Sequence, residues 1–366
     1  MNFTNKSILK MLTVVLVLKD RYEFTERWLN YINKIDPFIY IIIADGSRNP
    51  LAPDQLSKFR INSKIEYRHY GADISISDFV SKIDRVLGEV KTEYVILMNN
   101  DDFPIIESMI TAIEFLEVNS DYVCAMGDCM DVAVSERFNS NIGNHVYGTL
   151  MILQSLYSKE SIDDSMITER VNSYLQTYES FWHSIYRTEA LKKVYNSCTK
   201  FKLDSMLTYE LAINLHTLIY GKMKRLENYT FMLHQCHPKM EAKKLPKLAE
   251  YAIKPEWKEE FKTVFDGFTS VANVFLDNEL NSDDLVSTFL KNRSINLEFS
   301  KHEKELGVGK VLKRIELKIG AVKYYINIYI ASFVIPKNKL IKLSSNSIQE
   351  IFYIKKFLSS EYKKLF

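Results

Sequence analysis

The stretch Tyr94–Pro104 reads YVILMNNDDFP and joins an apolar run to a cluster of polar side chains. The run from Tyr94 to Met98 is typical of a strand buried on both faces. Two adjacent carboxylates, Asp101 and Asp102, follow it closely. Unpaired charge is costly to bury, whereas carboxylate oxygens are good ligands for a hard divalent cation. Because open α/β sheets bind ligands at the carboxyl ends of their strands, the stretch predicts a metal site there.

Apolar runs alternate with helix-like segments upstream of this strand. Leu12–Leu18 (LTVVLVL) and Tyr40–Ala44 (YIIIA) have the pattern of buried strands, and Ile65–Tyr70 has the pattern of a third. Between them, apolar side chains recur at helical spacing. This order predicts an α/β fold with a Rossmann-like, mostly parallel sheet flanked by helices.

The second half of the chain gives a less regular pattern. We predict a helix near 107–117, a strand over 122–126, a long helix over 203–220 and a last strand over 228–233. The stretch 128–174 contains polar turns, and we expect it to form an irregular insertion facing the substrate. From Met240 onward the pattern is helical and charged. We therefore expect a catalytic domain over 1–240 and a helical, basic C-terminal region over 241–366.

The composition is that of a globular protein. The 366 residues are 46% hydrophobic and 26% charged, which is an ordinary balance. The four cysteines form no CxxC pair, which argues against a disulfide framework or a zinc ribbon. We see no secretory signal and no run of the roughly 18 apolar residues that span a bilayer. The expected location is the cytoplasm.

The net charge of +2 hides an asymmetry. Residues 307–366 carry 12 Lys and Arg against three Glu, so this tail is +9 and the preceding residues are −7. Its apolar stretch 322–335 is flanked by eight basic residues. Two interpretations stay open, namely that the tail lies on the inner face of the cell membrane, or that it packs on the protein or on a second copy in a homo-oligomer. No nucleic-acid-binding motif accompanies the charge.

Three strand ends are expected to share one edge of the sheet. They carry Lys19–Arg21, Asp45–Ser47 and Asn99–Asp102. These residues suit a nucleoside diphosphate, because Asp45 can accept hydrogen bonds from a base or ribose and Arg21 or Lys82 can meet phosphate oxygens. Asp101 and Asp102 can hold Mg²⁺ or Mn²⁺.

The order of these motifs resembles a known family. Thr13–Arg21 (TVVLVLKDR), Tyr40–Ser47 (YIIIADGS) and Tyr94–Pro104 are similar to the landmark segments of GT-A fold, family-2-like glycosyltransferases. The resemblance covers about residues 11 to 240. It implies a GT-A-like fold and metal-dependent transfer of a sugar, with inversion, from a nucleotide sugar, expected to be UDP-linked. The implied acceptor is a hydroxyl of a surface polysaccharide or lipid-linked glycan.

The resemblance also implies roles for individual residues. Asp45 matches the nucleoside-contacting acid, and Asp102 with Asp101 matches the DxD-type metal motif. His237 is similar to a late histidine that completes metal or diphosphate binding. Glu210, in TYELAINL, matches the catalytic base.

Two departures from the family pattern affect these roles. Asn99 or Asn100 stands where the first metal-binding Asp is usual. Leu207 and Thr208 replace an acidic pair before Glu210, so the base stays open between Glu210, Asp204 and Glu179.

Simpler interpretations exist for the same residues. Asp101 and Asp102 would also serve as a cap for a helix starting near Pro104, and Asp45–Ser47 would also form a plain turn. Lys82 would form a surface ion pair, and Glu210 would be a solvated side chain on the surface of a helix. Two other functions remain open, a sugar-1-phosphate nucleotidyltransferase and an inactive nucleotide- or sugar-binding protein. The first usually has a Gly-rich loop after its first strand, which Lys19–Tyr22 lacks.

Overall fold

The fold was analysed in a computed structural model. The structure describes residues 6–35, 38–52, 55, 65–135, 145–156, 160–178, 180–235, 255–276, 280–291 and 345–364. Glu179, His237 and the basic segment 307–344, for which the sequence predicts roles, lie outside the described residues.

In the described ranges, nine strands form one sheet. They are β1 (Leu12–Leu18), β2 (Tyr40–Asp45), β3 (Ile65–His69), β4 (Tyr94–Asn99), β5 (Phe103–Pro104), β6 (Tyr122–Ser135), β7 (Thr149–Leu156), β8 (Ile185–Arg187) and β9 (Lys222–Gln235). Their spatial order is β3-β2-β1-β4-β8-β6-β9-β5, with β7 paired to β6.

Helices cover the sheet. A 3₁₀ helix (Lys6–Met11) precedes β1. The α-helices are α1 (Tyr22–Ile35), α2 (Ile76–Glu89), α3 (Ile106–Val118), α4 (Ile167–Thr177), α5 (Thr188–Cys198), α6 (Met206–Tyr220), α7 (Pro255–Leu276), α8 (282–291) and α9 (Ser345–Lys364).

The first four strands in sequence are parallel. β1 pairs with β2 on one side and β4 on the other, and β2 pairs with β3. Every residue of β1 is buried, as its unbroken apolar run requires. Leu18 lies opposite Asp45, and Val17 lies opposite Asn99. The predicted α/β class is therefore confirmed, and the three polar strand ends do share one edge.

Antiparallel pairs extend the sheet beyond β4. β8 is antiparallel to both β4 and β6, and β6 is parallel to β9. The predicted irregular insertion over 128–174 is wrong at its start, because β6 continues to Ser135 and β7 follows at Thr149. Polar residues such as Asp128 break the apolar pattern of β6, but pairing with β7 and β9 keeps it extended, with register shifts along the way.

The helices after residue 254 pack on the sheet domain. α7 lies against α6 and contributes the buried side chains of Phe261, Phe265 and Phe268. α9 lies against β7 and α3. The predicted boundary near residue 240 falls within 236–254, outside the described residues. In the described part of the chain, no helix has both the length and the apolar character needed to cross a membrane.

Candidate active site

The turn after β2 is built around Asp45. Its carboxylate accepts hydrogen bonds from the Tyr67 hydroxyl at 2.6 Å and from the backbone N–H of Ser47 at 2.7 Å. Its side chain is fully buried. The contacts therefore show that Asp45 stabilises a turn. Contact between its carboxylate and a nucleoside stays a prediction.

A buried ion pair lies behind this turn. Lys82 of α2 donates to the Asp73 carboxylate at 2.5 Å and to the carbonyl of Leu18 at 3.1 Å. Burial lowers the pKa of Lys82 and raises that of Asp73, and the attraction between the two opposes both shifts. Lys82 is only 2% exposed. Lys82 therefore forms a buried ion pair that holds the loop after β3, not the surface ion pair of the simpler interpretation. Contact between Lys82 and a phosphate stays a prediction.

Arg21 crosses the sheet edge to the loop after β4. Its guanidinium donates to Asp101 at 2.6 Å and to the side-chain oxygen of Asn100 at 3.2 Å. Asp20 and Arg21 have positive φ angles of 54° and 63°, a conformation that costs on the order of 1–3 kcal/mol per non-glycine residue. The bond from the Asp20 N–H to the Ser47 hydroxyl helps to hold it. The strained turn therefore places a cation beside the acidic loop.

Asp102 is the centre of a cluster with two histidines. One carboxylate oxygen lies 2.9 Å from His234 Nδ1 and also accepts the N–H of Gln235 at 3.2 Å. The other oxygen lies 3.9 Å from His183 Nε2. The candidate ligand atoms of Asp102, His183 and His234 all lie within 4.8 Å of one another. Two imidazoles and one carboxylate at this spacing form a set that fits a divalent cation.

The pKa values of the two histidines are shifted in opposite directions. The charge of Asp102 raises the pKa of His234 to about 9, against the effect of burial. Burial lowers the pKa of His183, and Asp102 opposes that shift. An imidazole binds a metal in its neutral form, so a cation at this cluster would have to displace the proton of His234.

Asp101 and Asp102 do not cap the helix that follows them. Ile105 occupies the cap position of α3 and makes no side-chain cap bond. The first N–H groups of the helix, those of Ile106 and Glu107, donate instead to Glu350 of α9. The capping interpretation of the acidic pair is therefore wrong.

Glu210 lies in the first turns of α6. Its carboxylate accepts a hydrogen bond from the Tyr178 hydroxyl at 3.0 Å. Burial raises the pKa of Glu210, and bonds from Tyr178 and Ser180 oppose that shift. A carboxylate with a raised pKa is suited to take a proton near neutral pH.

One short segment connects Glu210 to the Asp102 cluster. Ser180 contacts Glu210, and His183 follows three residues later. The buried Arg225 of β9 fixes this segment, since it donates to the Ser180 carbonyl at 3.0 Å and its guanidinium lies 4.5 Å from the centre of the Phe181 ring. The candidate base and the candidate metal ligands thus border the same stretch of chain.

Asp204, the other described candidate for the base, lies just before α6. It is exposed and, with Lys19, Asp73, Phe79 and Met206 among others, lines an open cavity of about 350 Å³. Its backbone N–H donates to Glu260. The side chain of Asp204 is thus exposed, whereas that of Glu210 is partly buried.

Sequence reasoning missed His183 and His234. His234 stands three residues before the predicted His237, in the sequence HQCH, and directly follows the strand predicted over 228–233. His183 follows Phe181 and Trp182 in a short apolar segment that carries no recognisable motif. The usable signal was the apolar run Phe231–Leu233, because His234 follows it directly, as polar residues follow β4 at Asp102.

No protein-family model and no curated protein matches the sequence. Among solved structures, the fold is similar to that of S. aureus TarS, at 13–14% identity in the three structures compared. The structure of TarS 1–349 gives a TM-score of 0.44, with 96% of this chain and 91% of that chain covered.

Two of the TarS structures contain ligands. The complex with UDP gives a TM-score of 0.44 and covers 96% of this chain and 91% of that chain. The complex with UDP-GlcNAc gives a TM-score of 0.45 and covers 77% and 72%. Because these TM-scores are below 0.5, the likeness does not assign a function to this protein.

Proposed function

We propose that this protein is a glycosyltransferase that moves a sugar from a nucleotide-sugar donor, taken as UDP-linked, to a hydroxyl group. The observation that carries the proposal is the Asp102, His183 and His234 cluster at the carboxyl edge of the parallel strands. Beside this cluster, Arg21 of the turn after β1 forms an ion pair with Asp101. The resemblance of the strand-end motifs to family-2-like glycosyltransferases supports the same function.

Asp102, His183 and His234 would hold a divalent cation. Imidazole nitrogen is a poor ligand for Mg²⁺, which favours oxygen, whereas Mn²⁺ accepts both donor types. Of the two predicted ions we therefore propose Mn²⁺. When bound, it supplies Lewis-acid stabilisation to the leaving diphosphate.

The remaining steps fall to protein side chains. Glu210 takes the proton from the acceptor hydroxyl as that oxygen attacks the anomeric carbon. Arg21 supplies a further positive charge beside the departing diphosphate. We take the reaction to be a direct displacement with inversion, as the resemblance implies.

For the acceptor, we propose a surface polysaccharide or a lipid-linked glycan. The support is the charge of +9 on residues 307–366, since basic segments are attracted to anionic lipid surfaces. A peripheral position on the inner face of the cell membrane follows from the same charge.

Binding of UDP, GDP and CMP, each with and without Mn²⁺, tests the proposal. We expect calorimetry to show Mn²⁺-dependent binding of UDP to the wild type. Asp102→Asn and His183→Ala should each weaken Mn²⁺ binding at least as much as the ~10-fold loss typical of an outer-shell partner. Asp121→Asn, which changes an exposed acid paired with Lys222, is the matched control and should bind normally.

Two outcomes would contradict the proposal. Wild-type protein that binds no nucleotide in the presence of Mn²⁺ is not a transferase of this type. Wild-type protein that binds UDP but never releases sugar from UDP-GlcNAc or other UDP-hexoses, with or without acceptor glycans, is instead a binding protein.

A further inference from the structure

The start of α3 is completed by the far end of the chain. The N–H groups of Ile106 and Glu107 donate to the two carboxylate oxygens of Glu350 at 2.8 and 2.9 Å. These amides belong to the first helical turn, where N–H groups lack a partner within the helix. α3 begins four residues after Asp102. The C-terminal helix thus satisfies backbone groups beside the acidic loop.

A second contact from α9 reaches the same stretch. Phe357 lies against the ring of Tyr31, with centroids 5.9 Å apart. Tyr31 in turn packs edge-on against Phe103 at 5.3 Å and donates its hydroxyl to the Pro104 carbonyl at 3.2 Å. Through Tyr31, α9 also holds strand β5.

Both contacts act on residues 103–107, which connect directly to Asp102 on one side. In the sheet, Phe103 lies opposite Leu233, the residue before His234. A shift of residues 103–107 along β9 would therefore change the separation of Asp102 and His234. That separation sets the size of the cation site.

The buried position of Glu350 is unfavourable for its negative charge. It is 2% exposed, and burial raises its pKa to about 7, against the effect of the two amide donors. A buried carboxyl is unfavourable unless it is hydrogen-bonded, and a helix N-terminus is a favourable place for its negative charge. These contacts explain why a carboxylate is accepted on the otherwise apolar face of α9, among Ile351, Ile354 and Leu358.

We propose that Glu350 is a positioning residue for the metal-binding loop. By capping α3 it fixes the loop of Asp101 and Asp102 at the distance from His234 that a cation requires. The inference rests on the proposed function, because it takes the Asp102 cluster as a metal site. It also makes α9 part of the catalytic unit.

The test compares four variants of the full chain by Mn²⁺ affinity, measured by electron paramagnetic resonance, and by Tm. Glu350→Ala should weaken Mn²⁺ binding about 10-fold, the lower end of the effect of outer-shell partners. Glu350→Gln should restore part of that loss, because its carbonyl oxygen still accepts one amide. Glu361→Gln changes the same charge on the same helix, where Glu361 pairs with Lys34, and should bind Mn²⁺ normally.

The fourth variant separates positioning from stability. Ile354→Val removes one buried methyl group from α9 and lowers Tm while it leaves the Glu350 cap of α3 in place. We expect it to leave Mn²⁺ affinity unchanged. Wild-type affinity in Glu350→Ala, or an equal loss in Ile354→Val at equal Tm, would overturn the inference.

Failure of the proposed function gives a different result. If the wild type itself binds no Mn²⁺, the metal site is wrong, and amide hydrogen exchange over residues 99–107 then decides the role of Glu350. Faster exchange in Glu350→Ala and in Glu350→Gln than in Ile354→Val supports positioning of the loop. Unchanged exchange in both Glu350 variants refutes it.

Discussion

At the scale of single residues, Glu210 and Asp204 differ in surroundings more than in chemistry. Both are acids near the start of α6, and the sequence left the base open between them and Glu179. The structure separates them, because Glu210 accepts from Tyr178 and has a raised pKa, whereas Asp204 is exposed. A general base needs a pKa near the working pH, which favours Glu210.

We predict that Glu210→Gln lowers kcat at least ~100-fold, the lower end of the contribution of a general base. The affinity for UDP should not change, since Glu210 acts on the acceptor. In the wild type, kcat should fall as the pH drops through the raised pKa of Glu210, because only the carboxylate form accepts a proton. Asp204→Asn is the control in the same transferase assay, and a larger loss there than in Glu210→Gln would move the base to Asp204.

At the scale of elements, the buried pair of Lys82 and Asp73 joins α2 to the loop after β3. Gly46 lies close enough that a β-carbon there would be 2.1 Å from the Asp73 carboxylate. α2, the loop after β3 and the turn after β2 therefore pack together around the ion pair of Lys82 and Asp73.

Lys82→Met should destabilise the protein by about 3–5 kcal/mol, because it leaves the Asp73 charge buried without its partner. Urea unfolding measures this change. Lys262→Met removes an exposed lysine that pairs with Asp266 on α7, and it should cost less than about 1 kcal/mol. Normal stability of Lys82→Met together with weakened UDP binding would restore the phosphate-binding interpretation of Lys82.

The elements also show what the sequence can and cannot predict. Strands β1, β2 and β4 were predicted because unbroken apolar runs such as Leu12–Leu18 have few other uses. Asp102 was predicted because it follows such a run. His183 and His234 were not, because they lie 81 and 132 residues from Asp102 and meet it only once β8 and β9 are in place. The buried position of Lys82 was missed for the same reason, since its partner lies in a loop without periodicity.

At the scale of the whole molecule, the C-terminal region has two parts, a packed helix and a strongly basic segment before it. Within the described residues, α9 packs on the sheet domain through Ile351, Ile354, Phe357 and Leu358. This helix packs on the protein, whereas the apolar stretch 322–335 lies outside the described residues and its contact with a membrane stays a prediction. Eight of the basic residues lie instead within 310–342, outside the described residues.

We predict that replacing those eight residues by Gln abolishes binding to anionic vesicles in a flotation assay at low salt. Each basic residue near an anionic surface contributes about 1 kcal/mol, and salt screens this attraction. Mn²⁺ affinity should stay at the wild-type level because α9 is retained. Unchanged flotation of the variant would show that the basic segment does not carry membrane contact.

The bond between Glu350 and Ile106 spans 244 residues, and this separation has a consequence for synthesis. Strands β1, β2 and β4 lie within the first hundred residues and can pair early, whereas the cap of α3 is translated 244 residues after the helix start that it completes. Domains generally begin to fold from the N-terminus during translation. A nascent chain arrested before residue 350 would thus hold a formed parallel sheet with an uncapped α3, so the proposed cation site would be completed only after Glu350 has been translated.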